Sequence, residues 1–371
     1  MLKEKLLKNF SWLLLDKILR IVGGLVVGIW LARYLGPHDF GIINYASAFI
    51  AFFIFLPNLG LDQIVVRELS QKSEAYNTIL GTAFVMKFLG ACIALSLIVS
   101  ISLMTLDNEP LTQWVIWIIA LTYIFQAFDV IDFYYQAKIL SKYVVISRDL
   151  AFIISSLIKV SLILNQYEII YFVWITVLDV ALSAIFFIIT YQKLDRSISY
   201  WTFDFSVVKE LLSYSWPLML SSFLITIHTN IDQIMIEHYM DKTEVGVYSA
   251  ALRLANCWLF APSIIVSTLL PYYVKLRQEN SQTYHENLIR LYSFMFWMGM
   301  IVGIVTFIFG ERIVLFLYGE AYTDAYQALV FNIWSGIFIS QALARGIWMI
   351  SENLQVYRLY NNVFSVIINI I

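Results

Sequence analysis

Runs of about twenty consecutive apolar residues recur along this chain, each closed by a short polar connection, and an α-helix of that length crosses roughly 30 Å of hydrocarbon. They lie near residues 11–33, 42–66, 79–103, 112–135, 144–164 and 168–190, and then near 211–236, 245–274, 287–309, 326–350 and 353–371. Inside a bilayer each segment must satisfy its own backbone N–H and C=O groups, so eleven membrane-spanning α-helices are expected. The chain is 60% hydrophobic and 13% charged, with a mean hydropathy of +0.76. Soluble domains carry about 45–50% apolar and about 25% charged residues, so a water-soluble globule is excluded. Lys3, Lys5 and Lys8 precede the first run like the start of a signal peptide, but the run continues to about Leu31 without an early small-residue cleavage pattern. It is expected to be retained as the first span.

Lysines and arginines in short connections stay on the cytoplasmic side. The N-terminus and the even-numbered connections hold fifteen of them, from Lys3 to Arg358, whereas the opposite connections hold Arg33, Lys242 and Arg312. The N-terminus is therefore expected in the cytoplasm. The net charge of −2 with scattered cations gives no footprint for nucleic acid. Cys92 and Cys257 sit singly in apolar runs without a Cys or His cluster, so packing is their expected role and no metal site is predicted.

The chain repeats itself at an offset of 205 residues: Arg33-Tyr34 matches His238-Tyr239, Asp39 matches Glu244, Gly41 matches Gly246 and Pro57 matches Pro262. Six helices separate equivalent positions, so the halves share orientation and would be related by a pseudo-twofold along the membrane normal. The expected fold is all-α: a polytopic membrane protein of two parallel-repeat bundles of six transmembrane helices, with an N-terminal lobe over 1–205 and a C-terminal lobe over 206–371. The offset carries a twelfth span to about 373–395, beyond Ile371, so the second bundle is expected to lack its last helix in this chain. Pro57 and Pro262 fall mid-span, where each removes a backbone bond, and are candidate hinges.

Twelve ionisable side chains are read as internal to the expected spans: Asp16, Lys17, Arg20, Asp62, Lys87, Asp129, Asp132, Lys159, Asp179, Asp232, Arg253 and Arg345. Each costs roughly 2.5–3.5 kcal/mol at the centre of a lipid-facing helix, so most are expected to face a shared polar interior. By helix rise, Lys17, Arg20, Lys87 and Arg345 lie in the cytoplasmic half, and Lys159 and Arg253 in the outer half. Ser222, Thr226, Thr229 and Gln233 share one face of the seventh span and suit sugar hydroxyls. Asp179 and Asp232 are the candidates for coupling to an ion gradient, of protons or sodium; no other cofactor is expected.

The segment Ala32-Arg33-Tyr34-Leu35-Gly36-Pro37, followed by Phe40-Gly41, Leu59-Gly60-Leu61 and Arg67-Glu68, resembles the N-terminal signature of polysaccharide transporters in the multidrug/oligosaccharidyl-lipid/polysaccharide (MOP) flippase superfamily. Asn230-Ile231-Asp232 and Val245-Gly246-Val247-Tyr248 are similar to the pattern that the family places across its seventh and eighth spans. The resemblance implies a MATE/MOP-like fold in a bacterial inner membrane. It also implies the transfer of an undecaprenyl-pyrophosphate-linked oligosaccharide to the outer leaflet, for O-antigen or capsule, beside the polymerase and chain-length machinery. On that reading the six internal cations bind the pyrophosphate, the inner four receiving it and the outer two accompanying its release. The alternatives are a membrane-embedded glycosyltransferase or polymerase and a MATE-type drug exporter. The first is opposed by short outer connections without a long acidic loop, and the second by the number of internal cations.

Overall fold

The computed structural model describes residues 2–72, 74–106, 108–194 and 196–352. Among these the chain is helical, with α1 (Leu2–Ala51), α2 (Phe55–Asn58), α3 (Leu61–Gln71), α4 (Tyr76–Thr105), α5 (Pro110–Ala120), α6 (Thr122–Gln126) and α7 (Val130–Ala137). There follow α8 (Ser141–Leu164), α9 (Ile169–Gln192), α10 (Phe205–Tyr239), α11 (Lys242–Cys257), α12 (Phe260–Glu279), α13 (Ser281–Tyr318) and α14 (Ala325–Ser351). Among the described residues eight stretches are long and apolar enough to cross a membrane. This is a multi-pass membrane protein. The expected eleventh span, 353–371, lies outside the described residues.

α1 covers two expected spans, which are separated by a kink at the Gly36-Pro37 pair where Gly36 takes φ 76°. Only glycine adopts that conformation cheaply, and the proline after it has the φ that starts a helix. Expected span four is divided among α5, α6, a 3₁₀ turn at Ala127–Asp129 and α7. α8 is long enough to cross, but Lys142, Arg148, Asp149 and Lys159 lower its apolarity.

The two proline positions interrupt their spans alike. Around Pro57 the helix tightens into three-residue steps, with Phe53 N–H donating to Ile50 O and Leu56 N–H to Phe53 O. Around Pro262, Leu259 N–H donates to Asn256 O and Ala261 N–H to Trp258 O. In both copies the break falls about four residues before the proline, where the ring clashes with the carbonyl and supplies no N–H. After Pro57 the chain turns further, because Leu59 and Gly60 both have left-handed φ, 50° and 65°. A Cβ on Gly60 would lie 2.6 Å from Met219 N and Ser215 O of α10. Those backbones meet where only glycine fits.

By internal packing the chain forms two compact units, one of residues 1–27 and 42–235 and the other of residues 28–41 and 236–371. In the first, a core of Leu61, Val65, Leu80, Val130, Ile131 and Tyr135 binds α3, α4 and α7 together. In the second, Ala32 and Phe40 of α1 pack with Ala250 and Ala251 of α11, and with Val314, Tyr318 and Tyr322.

Candidate functional site

Within the first unit, α1 and α8 bring two carboxylates to one guanidinium. Asp16 and Arg20 stand one turn apart and pair at 2.8 Å, Nε to Oδ1. Arg20 also approaches Asp149 Oδ1 at 3.6 Å and stacks 5.7 Å from the ring of Phe152. Gly23 makes room for that ring, since a Cβ there would come within 2.8 Å of it. Asp149 is only 8% exposed, and its Oδ1 is buried without a hydrogen bond. A buried carboxylate oxygen in that state is costly, and two carboxylates share one cation here.

A second group lies among α7, α8 and the 3₁₀ turn. Arg148 Nη2 pairs with Asp132 Oδ2 at 2.9 Å and stands 3.7 Å from Asp129 Oδ1. Gln136 Nε2 donates to Asp132 Oδ1 at 3.1 Å. Asp132 is thus saturated and structural. Neither Arg148, which the charge count assigns to a connection, nor Asp149 is among the internal charges expected from sequence. Both lie near the start of α8, a few residues inside the expected span 144–164, where a charged helix end is hard to tell from a connection.

Lys87, 3% exposed on α4, is the most enclosed of the expected cations. Its Nζ donates to Asn58 Oδ1 at 3.2 Å and lies 5.5 Å from the ring centre of Phe133. Asn58 Nδ2 in turn reaches Asp62 Oδ2 at 3.5 Å, so a neutral amide separates cation from anion. Asn58 ends α2, and the proline break of span two puts it there.

In the second unit, Arg253 of α11 enters an aromatic box. Its guanidinium lies 5.4 Å from the ring centre of Phe40, and the core holds Tyr318 and Tyr322 close by. The two hydroxyls donate to Ala250 O at 3.4 Å and Ala32 O at 2.7 Å. Gly28 makes the seat, since a Cβ there would lie 1.8 Å from Arg253 Nη1. Among the described residues Arg253 has no carboxylate within ion-pair distance. The residue that admits it, Gly28, reads in the sequence as an ordinary packing glycine, because its use depends on a helix more than 200 residues away.

The remaining expected positions are less concentrated. Lys17 is exposed on α1, Lys159 is half-buried on α8 and Arg345 is exposed on α14. Asp179 of α9 accepts from Ser155 Oγ at 2.9 Å, and Asp232 is half-buried on α10. Ser222, Thr226 and Thr229 donate to carbonyls of their own helix, Met219 O, Ser222 O and Ile225 O, leaving oxygen lone pairs outward; Gln233 is half-buried.

Inside the second unit, the helix after Gly36-Pro37 meets the start of α11. A Cβ on Gly41 would lie 1.6 Å from Lys242 O, and one on Gly246 would lie 1.9 Å from Pro37 O. Pro37 and Lys242 are related by the same 205-residue offset as Gly41 and Gly246, so the contact is reciprocal, as a local twofold produces.

At the polar ends of the first unit, Lys72 Nζ bridges Glu68, at 3.1 Å, and Glu210 of α10. Hydrogen bonds to Glu210 and Glu68 hold the Lys72 ammonium above its usual pKa. Burial pushes Glu68 up, but hydrogen bonds from Arg67 and Lys72 outweigh it and leave its carboxyl below the usual range.

A profile described as polysaccharide biosynthesis protein matches residues 30–327 of this chain. The capsular polysaccharide biosynthesis protein CapF of Staphylococcus aureus is 25% identical over 354 residues, covering 93% of this chain and 86% of that protein. Among solved structures, a multidrug resistance MATE-family transporter of the MOP superfamily, in an inward-facing conformation, aligns with a TM-score of 0.64. That alignment covers 98% of this chain and 87% of the other at 13% identity, a likeness of fold alone.

Proposed function

We propose that this chain, which belongs to the polysaccharide biosynthesis protein family, carries an undecaprenyl-pyrophosphate-linked oligosaccharide from the cytoplasmic to the outer leaflet of a bacterial inner membrane by alternating access. It works as a transporter rather than an enzyme, with its N-terminus in the cytoplasm. The observation that carries this reading is Arg253. A half-buried guanidinium with no carboxylate within ion-pair distance among the described residues is costly to keep, and its fork of donors matches a phosphate oxygen pair. It lies twelve residues into α11 from Asp241, about 18 Å along the helix and so within the membrane. There it serves a pyrophosphate on its way out, while Lys87 and Arg20 serve the inner side.

The Asp16–Arg20–Asp149 group supports proton coupling. An anion on Arg20 competes with the carboxylates, and a displaced carboxylate takes up a proton, so substrate and proton movement are linked through one cation. This assigns coupling to Asp16 and Asp149 ahead of Asp179 and Asp232. The hydroxyl stripe on α10 offers acceptors to sugar hydroxyls.

The test is a cell dependent on this transporter for its surface glycan. Arg253→Ala should abolish the glycan with the protein still inserted, and Arg253→Lys should restore part of it. Normal glycan with Arg253→Ala would remove the pyrophosphate role.

A further inference from the structure

Between α12 and α13 an open groove of 350 Å³ runs up from the connection at Asn280. Its trough is apolar, formed by Ile265, Leu269, Leu291 and Phe294, and its mouth carries Tyr272 and Arg290. Asn287 Nδ2 donates to Tyr272 Oη at 3.2 Å, which leaves the tyrosine proton free to be donated outward. Arg290 and Tyr272 stand ten and eight residues from Asn280, about 15 and about 12 Å along their helices, so they lie at similar depth. The lysine and arginine count assigns this end to the cytoplasmic surface, and Ile289, Trp297 and Ile301 on α13 are exposed as lipid-facing residues would be.

The charge of Arg290 is the telling feature. Glu286 stands four residues before it, the spacing at which helix surface pairs form. Yet Glu286 accepts from Gln282 Nε2 at 3.3 Å, and Arg290 makes no ion pair among the described residues. Its basic neighbours are neutralised: Arg277 grips Glu352 with two bonds of 2.7 and 3.2 Å, and Lys275 pairs with Glu279 at 3.4 Å. A single uncompensated cation over an apolar trough, at headgroup depth, complements one anionic phosphodiester above one acyl chain. A zwitterionic headgroup brings its own ammonium and gains less.

We infer that the groove between α12 and α13 binds an anionic phospholipid of the inner leaflet, its phosphate on Arg290 and Tyr272 and its acyl chain along Leu269, Ile265 and Phe294. This site is separate from the transport residues and does not depend on their assignment.

The purified full chain, offered equal phosphatidylglycerol and phosphatidylcholine and weighed intact by mass spectrometry, should retain phosphatidylglycerol preferentially. One interfacial cation is worth about fivefold in affinity. Arg290→Gln should erase the preference and Arg290→Lys should keep most of it, while Arg253→Ala should leave it unchanged. An unaltered preference in Arg290→Gln would overturn the inference. Displacement of phosphatidylglycerol by a polyprenyl phosphate in the wild type but not in Arg290→Gln would also overturn it, since the groove would then belong to the tail of the cargo.

Discussion

Gly28→Ala puts a methyl group against the far end of a flexible side chain, so Arg253 moves while the fold holds. Surface glycan should fall about tenfold or more, with the melting temperature in detergent shifted by only a few degrees. A stable Gly28→Ala protein with normal glycan would mean that the seat of Arg253 is not used. Asp149→Asn removes the second carboxylate facing Arg20 while keeping its shape. Transport into proteoliposomes driven by a proton gradient should lose its dependence on that gradient, and retained dependence would leave Asp149 with a packing role only. Much of this chemistry was legible in the sequence as a list of charges that lipid cannot tolerate. Their partners were not, because Arg20 meets Asp149, and Arg253 meets Gly28, across helices distant in sequence, and such pairings leave no periodic trace. Asp149 escaped for a second reason: a helix end rich in Lys and Arg reads as a loop until packing reveals that Arg148 turns inward to Asp132.

Spans are the most readable elements, since bilayer thickness fixes their length and backbone satisfaction fixes their type. The breaks before Pro57 and Pro262 follow from ring chemistry and could be located to within a turn. The left-handed pair Leu59 and Gly60 could not, because its cause is the backbone of α10 lying against Gly60. Gly60→Ala should therefore destabilise by about 2–4 kcal/mol, about 1 from left-handed backbone and the rest from overpacking against Ser215 and Met219, seen as a lowered melting temperature in detergent. The bridge from Lys72 to Glu68 and Glu210 ties the end of α3 to α10. Its sign with pH follows from both partners. The contribution of Glu68, whose pKa is lowered, is present above the unfolded carboxylate value and fades as pH falls through the folded one. That of Lys72, whose pKa is raised, is present below the unfolded lysine value and is lost as pH rises through the folded one. Thermal stability should thus be flat near neutrality and fall toward acid, and Lys72→Gln should blunt the acid fall. An identical pH profile in the variant would assign the fall to other groups.

Across the whole molecule the repeat is the organising fact, visible in the sequence as an offset and in space as the reciprocal approach of Gly41 and Gly246. If this contact closes the outer face during the transport cycle, a bulky side chain there should hold that face open. Gly41→Val or Gly246→Val should raise labelling of a cysteine placed at Arg253 by a membrane-impermeant thiol reagent added from outside, and should stop export. Unchanged labelling would show that the contact persists by other means. A contact that each repeat makes with its own counterpart also ties their histories together. After a duplication, neither glycine can drift to a larger residue without trespassing on the backbone of the other copy, so each half still has to accommodate its twin there.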